Sequence, residues 1–338
     1  MNIKETIQNL VEFNNLTQEQ TFNVATEIMS GKTTDAQISA FLVSLRLKGE
    51  TTDEITGFVR AMREKAVKIS CRVRSLVDTC GTGGDQIGTF NISTLSAFVA
   101  AGAGCRVAKH GNRSVSSKCG SADLLLELGI NIEIPPEKIA NCIDESGIGF
   151  LYAPFLHKAM KFAIGPRREI GVRTIFNVLG PLTNPAGARC QLIGVFDESL
   201  TELLAKVLKR LGSEHVLVVH GEDGMDEITI TGKTKVSELT NGEIKNYTIQ
   251  PEDFGLRKAM LEEIKGGDSK INAKIATKLL EGEKGPARDI VLLNAGAVIY
   301  VGGKAKSIQE GIKLAEESIN SGAAKRKLES LKRLSNAN

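Results

Sequence analysis

The sequence predicts an α/β protein with a small N-terminal all-helical domain and a large domain whose mainly parallel central sheet is flanked by helices. Three observations carry that prediction. Residues 1–70 hold three consecutive helix-start signatures and no strand pattern. From Val73 onward, short β-branched runs alternate with helical periods, which implies a parallel sheet covered on both faces. Two glycine-rich turns each follow one of those runs, so they fall on the edge where such sheets collect ligands. At 338 residues and 41% hydrophobic content, the chain can build a core in each of two domains.

In chain order, the helical signatures are capping boxes: Thr17 with Gln20, Thr34 with Gln37, and Thr51 with Glu54. Gly31 and Gly49 stand where the first two of these helices should stop. Candidate strands follow at Leu76-Val77, Arg106 to Ala108, Gln191 to Phe196 and His215 to His220. Candidate helices lie at Ser93 to Ala101, Ala122 to Leu128, Glu137 to Ser146 and Leu200 to Leu211. Residues 233–256 read as a β-rich excursion turning at Asn241-Gly242, and after Asp268 the chain reads as helical to its end. Pro154 to Pro166 and Gly180 to Pro185 are the expected crossings back to the helical domain. The division expected is therefore 1–70, completed by helices within about 155–187, and 71–338.

The formal charge of +3, from 43 basic and 40 acidic residues, gives no global field for nucleic acid, so anion binding must be local. The basic C-terminal run, Lys325 to Lys327 with Lys332 and Arg333, reads as a solvated helix face. Six cysteines show neither Cys-x-x-Cys nor a paired histidine spacing, which points to reduced thiols rather than zinc or disulfides. The charged N-terminus lacks a signal-peptide pattern, and no apolar run approaches the roughly 20 residues of a membrane span, so a cytoplasmic protein is expected.

The chemistry concentrates between residues 78 and 123. Two glycine turns, rich in hydroxyls and joined by an apolar helix, are followed or flanked by Lys109, Arg113 and Lys118. Glycine lets backbone amides approach a phosphate closely, hydroxyls add hydrogen bonds, and cations supply charge-assisted ones. Gly81-Thr82-Gly83-Gly84-Asp85 lacks the third glycine of a dinucleotide fingerprint, and no Gly-x-x-x-x-Gly-Lys-Ser/Thr occurs. A nicotinamide dehydrogenase or an ordinary ATPase is thereby disfavoured.

Five motifs in order carry a closer likeness: Asp78 to Asp85, Asn91 to Thr94, Lys109 to Arg113, Gly180 to Pro185, and Gly224-Met225-Asp226-Glu227. The chain resembles the anthranilate phosphoribosyltransferases, of the nucleoside phosphorylase and phosphoribosyltransferase family, over essentially its whole length. That resemblance implies transfer of the phosphoribosyl group of phosphoribosyl pyrophosphate (PRPP) to the amine of anthranilate in tryptophan biosynthesis. It further implies Mg2+ and a homodimer formed through the helical domain, with no nucleic-acid or membrane partner.

By the same resemblance, PRPP would be held by Gly81, Gly84, Asp85, Thr89, Asn91, Ile92, Ser93 and Thr94 from the first turn. Lys109, His110, Gly111, Asn112, Arg113, Ser114, Val115, Ser116, Ser117 and Ser121 would serve from the second. Asn91 or Ser93 can equally be a plain N-cap of the following helix, and Lys109, Arg113 and Lys118 can be solvated cations. Ser93, Asp226 and Glu227 would ligate magnesium, a cation that suits a few carboxylates shared with substrate oxygens and water. Anthranilate would meet Gly81, His110, Asn112, Arg167 and Gly180, with a guanidinium suited to its carboxylate. Arg168 could stand in for Arg167, and His110 could be only a hydrogen-bonded core residue. His157, His215 and His220 read as structural.

No dyad of base and orienting acid is evident, and an aromatic amine is already unprotonated near neutral pH. No dedicated general base is therefore expected. Two other readings compete. A pyrimidine nucleoside phosphorylase would not need the acidic pair, and a non-catalytic nucleic-acid-binding paralogue should show a basic surface.

Overall fold

A computed structural model describes residues 2–85, 87–114 and 118–337. It opens with helices α1 (Ile3–Val11), α2 (Gln18–Met29), α3 (Asp35–Lys48) and α4 (Thr52–Lys65). All three capping boxes expected from the sequence close, and Gly49 ends α3 at φ 88°. A fourth box, Asn2 with Glu5, starts α1 and went unread in the sequence.

The remainder runs β1 (Val77–Gly81), α5 (Ile92–Gly102), β2 (Val107–Gly111), α6 (Ser121–Glu127), α7 (Pro136–Ser146), β3 (Ile148–Tyr152) and the short α8 (Ala153–Leu156). Then come α9 (Lys161–Ile170), α10 (Phe176–Leu179), β4 (Cys190–Gly194), α11 (Leu200–Arg210), β5 (His215–Gly221), and the hairpin β6 (Thr234–Thr240) and β7 (Glu243–Ile249). Helices α12 (Ser269–Leu280), α13 (Pro286–Val301), α14 (Ile308–Asn320) and α15 (Ala323–Asn336) complete the chain.

Among the described residues, the strands form one sheet in the order β3-β2-β1-β4-β5-β6-β7. The first five run parallel, and β6 and β7 are antiparallel additions joined at Asn241-Gly242. Because β1, β2, β4 and β5 are parallel, the loops after Gly81, Gly111, Gly194 and Gly221 leave from one edge.

Strand β3 was not legible in the sequence. Its Gly147-Ile148-Gly149 start reads as a turn, yet all five strand residues are buried. Gly149 is required by packing, since a Cβ there would lie 2.6 Å from Ile143 of α7.

Two apolar clusters hold the fold. The larger joins α5, α7 and α12 to α15 with residues of β1 to β3. The smaller joins α1 to α4 with α9, α10, α11 and inward residues of β4 to β6. Phe58 of α4 packs edge-on against Phe176 of α10, with ring centroids 5.1 Å apart. Helices α9 and α10 thus pack in one apolar cluster with α1 to α4, and Gly180, which follows α10, meets His110 of β2. Among the described residues no helix is long and apolar enough to cross a membrane.

Candidate active site

The first turn leaves β1 at Gly81 and is pinned from both sides. Thr82 N donates to Gly194 O at 2.9 Å, and Gly83 N donates to Asp226 Oδ2 at 2.7 Å. Any side chain at Gly81 or Gly194 would collide with this arrangement, because a Cβ would stand 2.1 Å from Asp226 Oδ2 or 1.5 Å from Asp226 O respectively. Gly83 and Gly84 both take positive φ, at 67° and 80°. The amides of Gly84 and Asp85 have no hydrogen-bond acceptor among the described residues. Successive amides in such a turn form a concavity suited to an anion.

Farther along, Gly266 N donates to Gly88 O at 2.9 Å, and Thr89 pairs with Lys265 in an isolated bridge. Asn91 then occupies the N-cap position of α5 but makes no cap bond. Its Nδ2 donates instead to Cys119 O at 3.0 Å, and its Oδ1 accepts from Asn272 Nδ2 at 2.9 Å. The plain capping alternative for Asn91 is therefore not realised; this side chain ties the first turn to the second. Ile92 points into the large core and gives its amide to Phe90 O. Thr94 is also buried.

Ser93 sits at the junction of charges. Its amide donates to Glu227 Oε1 at 3.2 Å, and its Oγ accepts from Lys109 Nζ at 3.2 Å. Lys109 is only 3% exposed and also donates to Thr79 O at 2.7 Å. It is thus no solvated lysine. Beneath it, fully buried Asp78 accepts from His110 N at 3.1 Å and from Asn184 Nδ2 at 2.8 Å. Burial pushes the Asp78 carboxyl up, with Lys109 and these hydrogen bonds opposing. Burial and Asp78 together hold the Cys80 thiol well above its usual range, so it stays protonated.

Three carboxylates meet at this edge. Burial and then the neighbouring Asp85 carboxyl raise Asp226 to about 7. Burial and then Asp226 push Glu227 well up, with Lys109 opposing. Burial likewise raises Asp85. Among the described residues, no group of three or more His, Cys, Asp or Glu side chains is arranged to hold a metal unaided. The carboxylates nevertheless crowd together at a cost that a cation would relieve, which suits magnesium completed by substrate oxygens and water.

The second turn leaves β2 at Gly111, where a Cβ would stand 2.4 Å from Ser121 Oγ. Ser121 Oγ donates to Asn112 O at 3.1 Å, and Ser114 N donates to Asp123 Oδ2 at 3.1 Å. Arg113 is drawn sideways, donating to Tyr152 Oη at 3.0 Å and lying 3.8 Å from Asp123. Lys118 and Asn112 are exposed. Val115, Ser116 and Ser117 lie outside the described residues.

Around the expected acceptor pocket, His110 Nδ1 donates to Gly180 O at 3.1 Å, the carbonyl dictating that tautomer. Burial, then neighbouring His157, lowers His110 to about 3. The two rings stand 5.1 Å apart, so His157, expected to be merely structural, joins this pocket. Neither Nε2 has a hydrogen-bond partner among the described residues. Arg167 lies over the Phe176 ring at 4.8 Å, and burial lowers its pKa, whereas Arg168 is exposed. His215 pairs with Glu238 at 2.8 Å, and His220 Nδ1 meets Val195 O at 2.7 Å, both away from the pocket.

Sequence reasoning missed Asp78, Asn184, His157 and Arg173 as site-builders. Asp78 stands in an apolar strand run, and Asn184 between Thr183 and Pro185 reads as a turn residue.

The chain matches two family models: "Glycosyl transferase family, helical bundle domain" over residues 4–66, and "Glycosyl transferase family, a/b domain" over 73–325. An anthranilate phosphoribosyltransferase of Moorella thermoacetica is 55% identical over 97% of each chain. The crystal structure of the Thermus thermophilus anthranilate phosphoribosyltransferase superposes with a TM-score of 0.94 at 45% identity, covering 98% of this chain and 99% of that one. The Saccharomyces cerevisiae enzyme in complex with PRPP and Mg superposes at 0.91 with 28% identity, covering 98% and 97%. Matched along its length by both domains and by relatives of one activity, the chain belongs to the anthranilate phosphoribosyltransferase family.

Proposed function

We propose that the edge formed by the loops after β1, β2 and β5 holds PRPP and magnesium, with anthranilate against the α9–α10 segment. The reaction is transfer of the phosphoribosyl group to the anthranilate amine, releasing pyrophosphate. The observation that carries the site assignment is the junction of Ser93, Lys109, Asp226 and Glu227 within hydrogen-bond reach at the first glycine turn.

In this reading the open amides of Gly84 and Asp85 receive pyrophosphate, and Lys109 supplies fixed positive charge beneath it. Ser93, Asp226 and Glu227 would hold magnesium, with Asp85 close by. Bound magnesium supplies positive charge that stabilises the departing pyrophosphate. The C1–O bond to pyrophosphate breaks and a C1–N bond to the amine forms through an oxocarbenium-like transition state. One proton then leaves the amine for water or its neighbouring carboxylate. The protein's contribution is positioning and preorganised electrostatics. Neutral His110 presents an Nε2 lone pair that can accept an N–H while being too weakly basic to act as a strong proton acceptor.

Arg167 would meet the anthranilate carboxylate, held flat by Phe176, with Asn112 and Gly180 completing the pocket. The helical unit of residues 1–70 with α9 and α10 is the part that would close on the two substrates. A homodimer through that unit is supported by exposed Val11, Phe13 and Leu47, and a Phe13→Asp variant should sediment as a monomer. The six free thiols fit a reducing cytoplasm.

The direct test mixes protein, PRPP and magnesium with anthranilate and follows loss of anthranilate fluorescence. Metal-dependent quenching that stops in the Asp226→Asn, Glu227→Gln double variant supports the assignment. Unchanged rates in that variant would overturn it.

A further inference from the structure

The segment between α9 and α10 does more than carry Arg167. Its Arg173 reaches across to the first glycine turn, where Nη2 donates to Gly84 O at 2.5 Å. The same guanidinium lies over the Phe196 ring, 4.2 Å from its centroid. Phe196 in turn donates its amide to Thr82 Oγ1 at 3.1 Å. Arg173 therefore grips the Thr82–Gly84 turn twice, directly at Gly84 and through Phe196 at Thr82. On the opposite side the same turn is fixed by Asp226 at Gly83.

The consequence follows from peptide geometry. In a trans peptide the carbonyl and the next amide point in opposite directions. Fixing Gly84 O toward Arg173 therefore aims the Asp85 N–H away from it, and that amide has no acceptor among the described residues. Gly84 sits at φ 80°, a conformation glycine leaves as readily as it enters, so the turn does not hold this orientation unaided.

We propose that Arg173 is a positioning residue that orients the Gly84–Asp85 peptide for pyrophosphate and couples that turn to the acceptor-side segment carrying Arg167. The proposal rests on the site reading above and deepens it. Its partner is the pyrophosphate moiety, reached through the backbone rather than by direct contact.

The test uses the full-length enzyme and compares Arg173→Ala, Arg173→Lys, Phe196→Leu and the Arg173→Ala, Phe196→Leu double variant. A hydrogen bond from a charged donor corresponds to roughly 10- to 100-fold in affinity. Arg173→Ala should raise the KM for PRPP by that factor while the KM for anthranilate changes less than about threefold. Arg173→Lys keeps the charge but loses the planar stack, and should recover only part of the loss. Phe196→Leu should reproduce a smaller form of it, and the double variant should fall short of the product of the two singles. Binding of inorganic pyrophosphate by calorimetry should weaken in parallel, with melting temperatures unchanged.

Full recovery by lysine with Phe196→Leu silent would make Arg173 a simple charge and overturn the proposal. So would an unchanged PRPP KM, or equal losses in both KM values and kcat accompanied by a lower melting temperature. Absence of turnover in the wild type would sink the transferase reading instead. Pyrophosphate binding by wild type and Arg173→Ala would still decide the role of Arg173.

Discussion

Asp226 accepts the amide of Gly83 across 143 residues of chain, and its own carbonyl lies where a side chain at position 194 would begin. One acidic residue thus sets both the height of the first glycine turn and the residue type that β4 must end with.

Gly194→Ala should be severe. Its Cβ would overlap a backbone oxygen, which cannot yield as a flexible side chain would. Displacing the loop should cost about 2–4 kcal/mol of stability and at least a hundredfold in kcat/KM. Gly212→Ala is the comparison: it sits at positive φ, 80°, but in open space. Its backbone strain should cost about 1 kcal/mol with turnover unchanged. Chemical denaturation and steady-state kinetics of the pair check both.

The crowded carboxylates predict a trade between stability and activity. Glu227→Gln replaces a carboxyl that burial and Asp226 hold against ionisation with an amide that carries no such cost, and should raise the melting temperature of the ligand-free protein by a few degrees. The same variant should lose at least a hundredfold in magnesium-dependent turnover, since a neutral amide is a poor magnesium ligand. A lower melting temperature together with wild-type turnover would contradict the expectation.

His110 and His157 predict an acid limit to stability. Burial lowers His110 to about 3 and His157 to about 4, from an unfolded value near 6.5. Between those values the unfolded chain binds more protons than the folded one, so stability is full above about pH 6.5 and falls as pH drops toward 4. The melting temperature of a His110→Gln, His157→Gln variant should show a flatter decline between pH 6.5 and 4.5. In kinetics, His110→Ala should raise the KM for anthranilate about tenfold with a smaller change in kcat. A thousandfold loss in kcat with unchanged KM would instead identify a general base.

Glu238 is a structural counterpart far from the chemistry. It accepts from His215 at 2.8 Å, Tyr300 at 2.8 Å and Tyr247 at 2.9 Å, and these bonds outweigh burial to hold its carboxyl below the usual range. Glu238→Gln should destabilise the protein by about 1–3 kcal/mol while leaving kcat/KM within about twofold at 25 °C. Urea unfolding and kinetics at one temperature separate the two effects.

What could be read from the chain beforehand follows physical locality. Capping boxes act over three residues, so Thr17, Thr34 and Thr51 announced their helices directly. Glycine turns behind β-branched runs announced, for the same reason, two loops that leave one edge of a parallel sheet. Asn91 shows where locality fails: its type and position specify a cap, but contacts to Cys119 and Asn272 from distant elements take the side chain away. β3 failed for another reason, because packing against α7 placed glycine where a strand usually has a branched residue. Arg173, Asp78 and Asn184 acquire their roles only when segments about 90 to 106 residues apart meet.

That same remoteness governs when the site comes into being. The first turn is closed only after β4 and the residues following β5 have arrived, so a nascent or partly folded chain that has made α1 to α5 still lacks Asp226. Loop closure over such spans is slow relative to helix formation. On the site proposed above, substrate affinity is a late acquisition in folding, and PRPP with magnesium, by selecting chains whose edge is complete, should act as a folding ligand that shifts the population toward the native state by mass action.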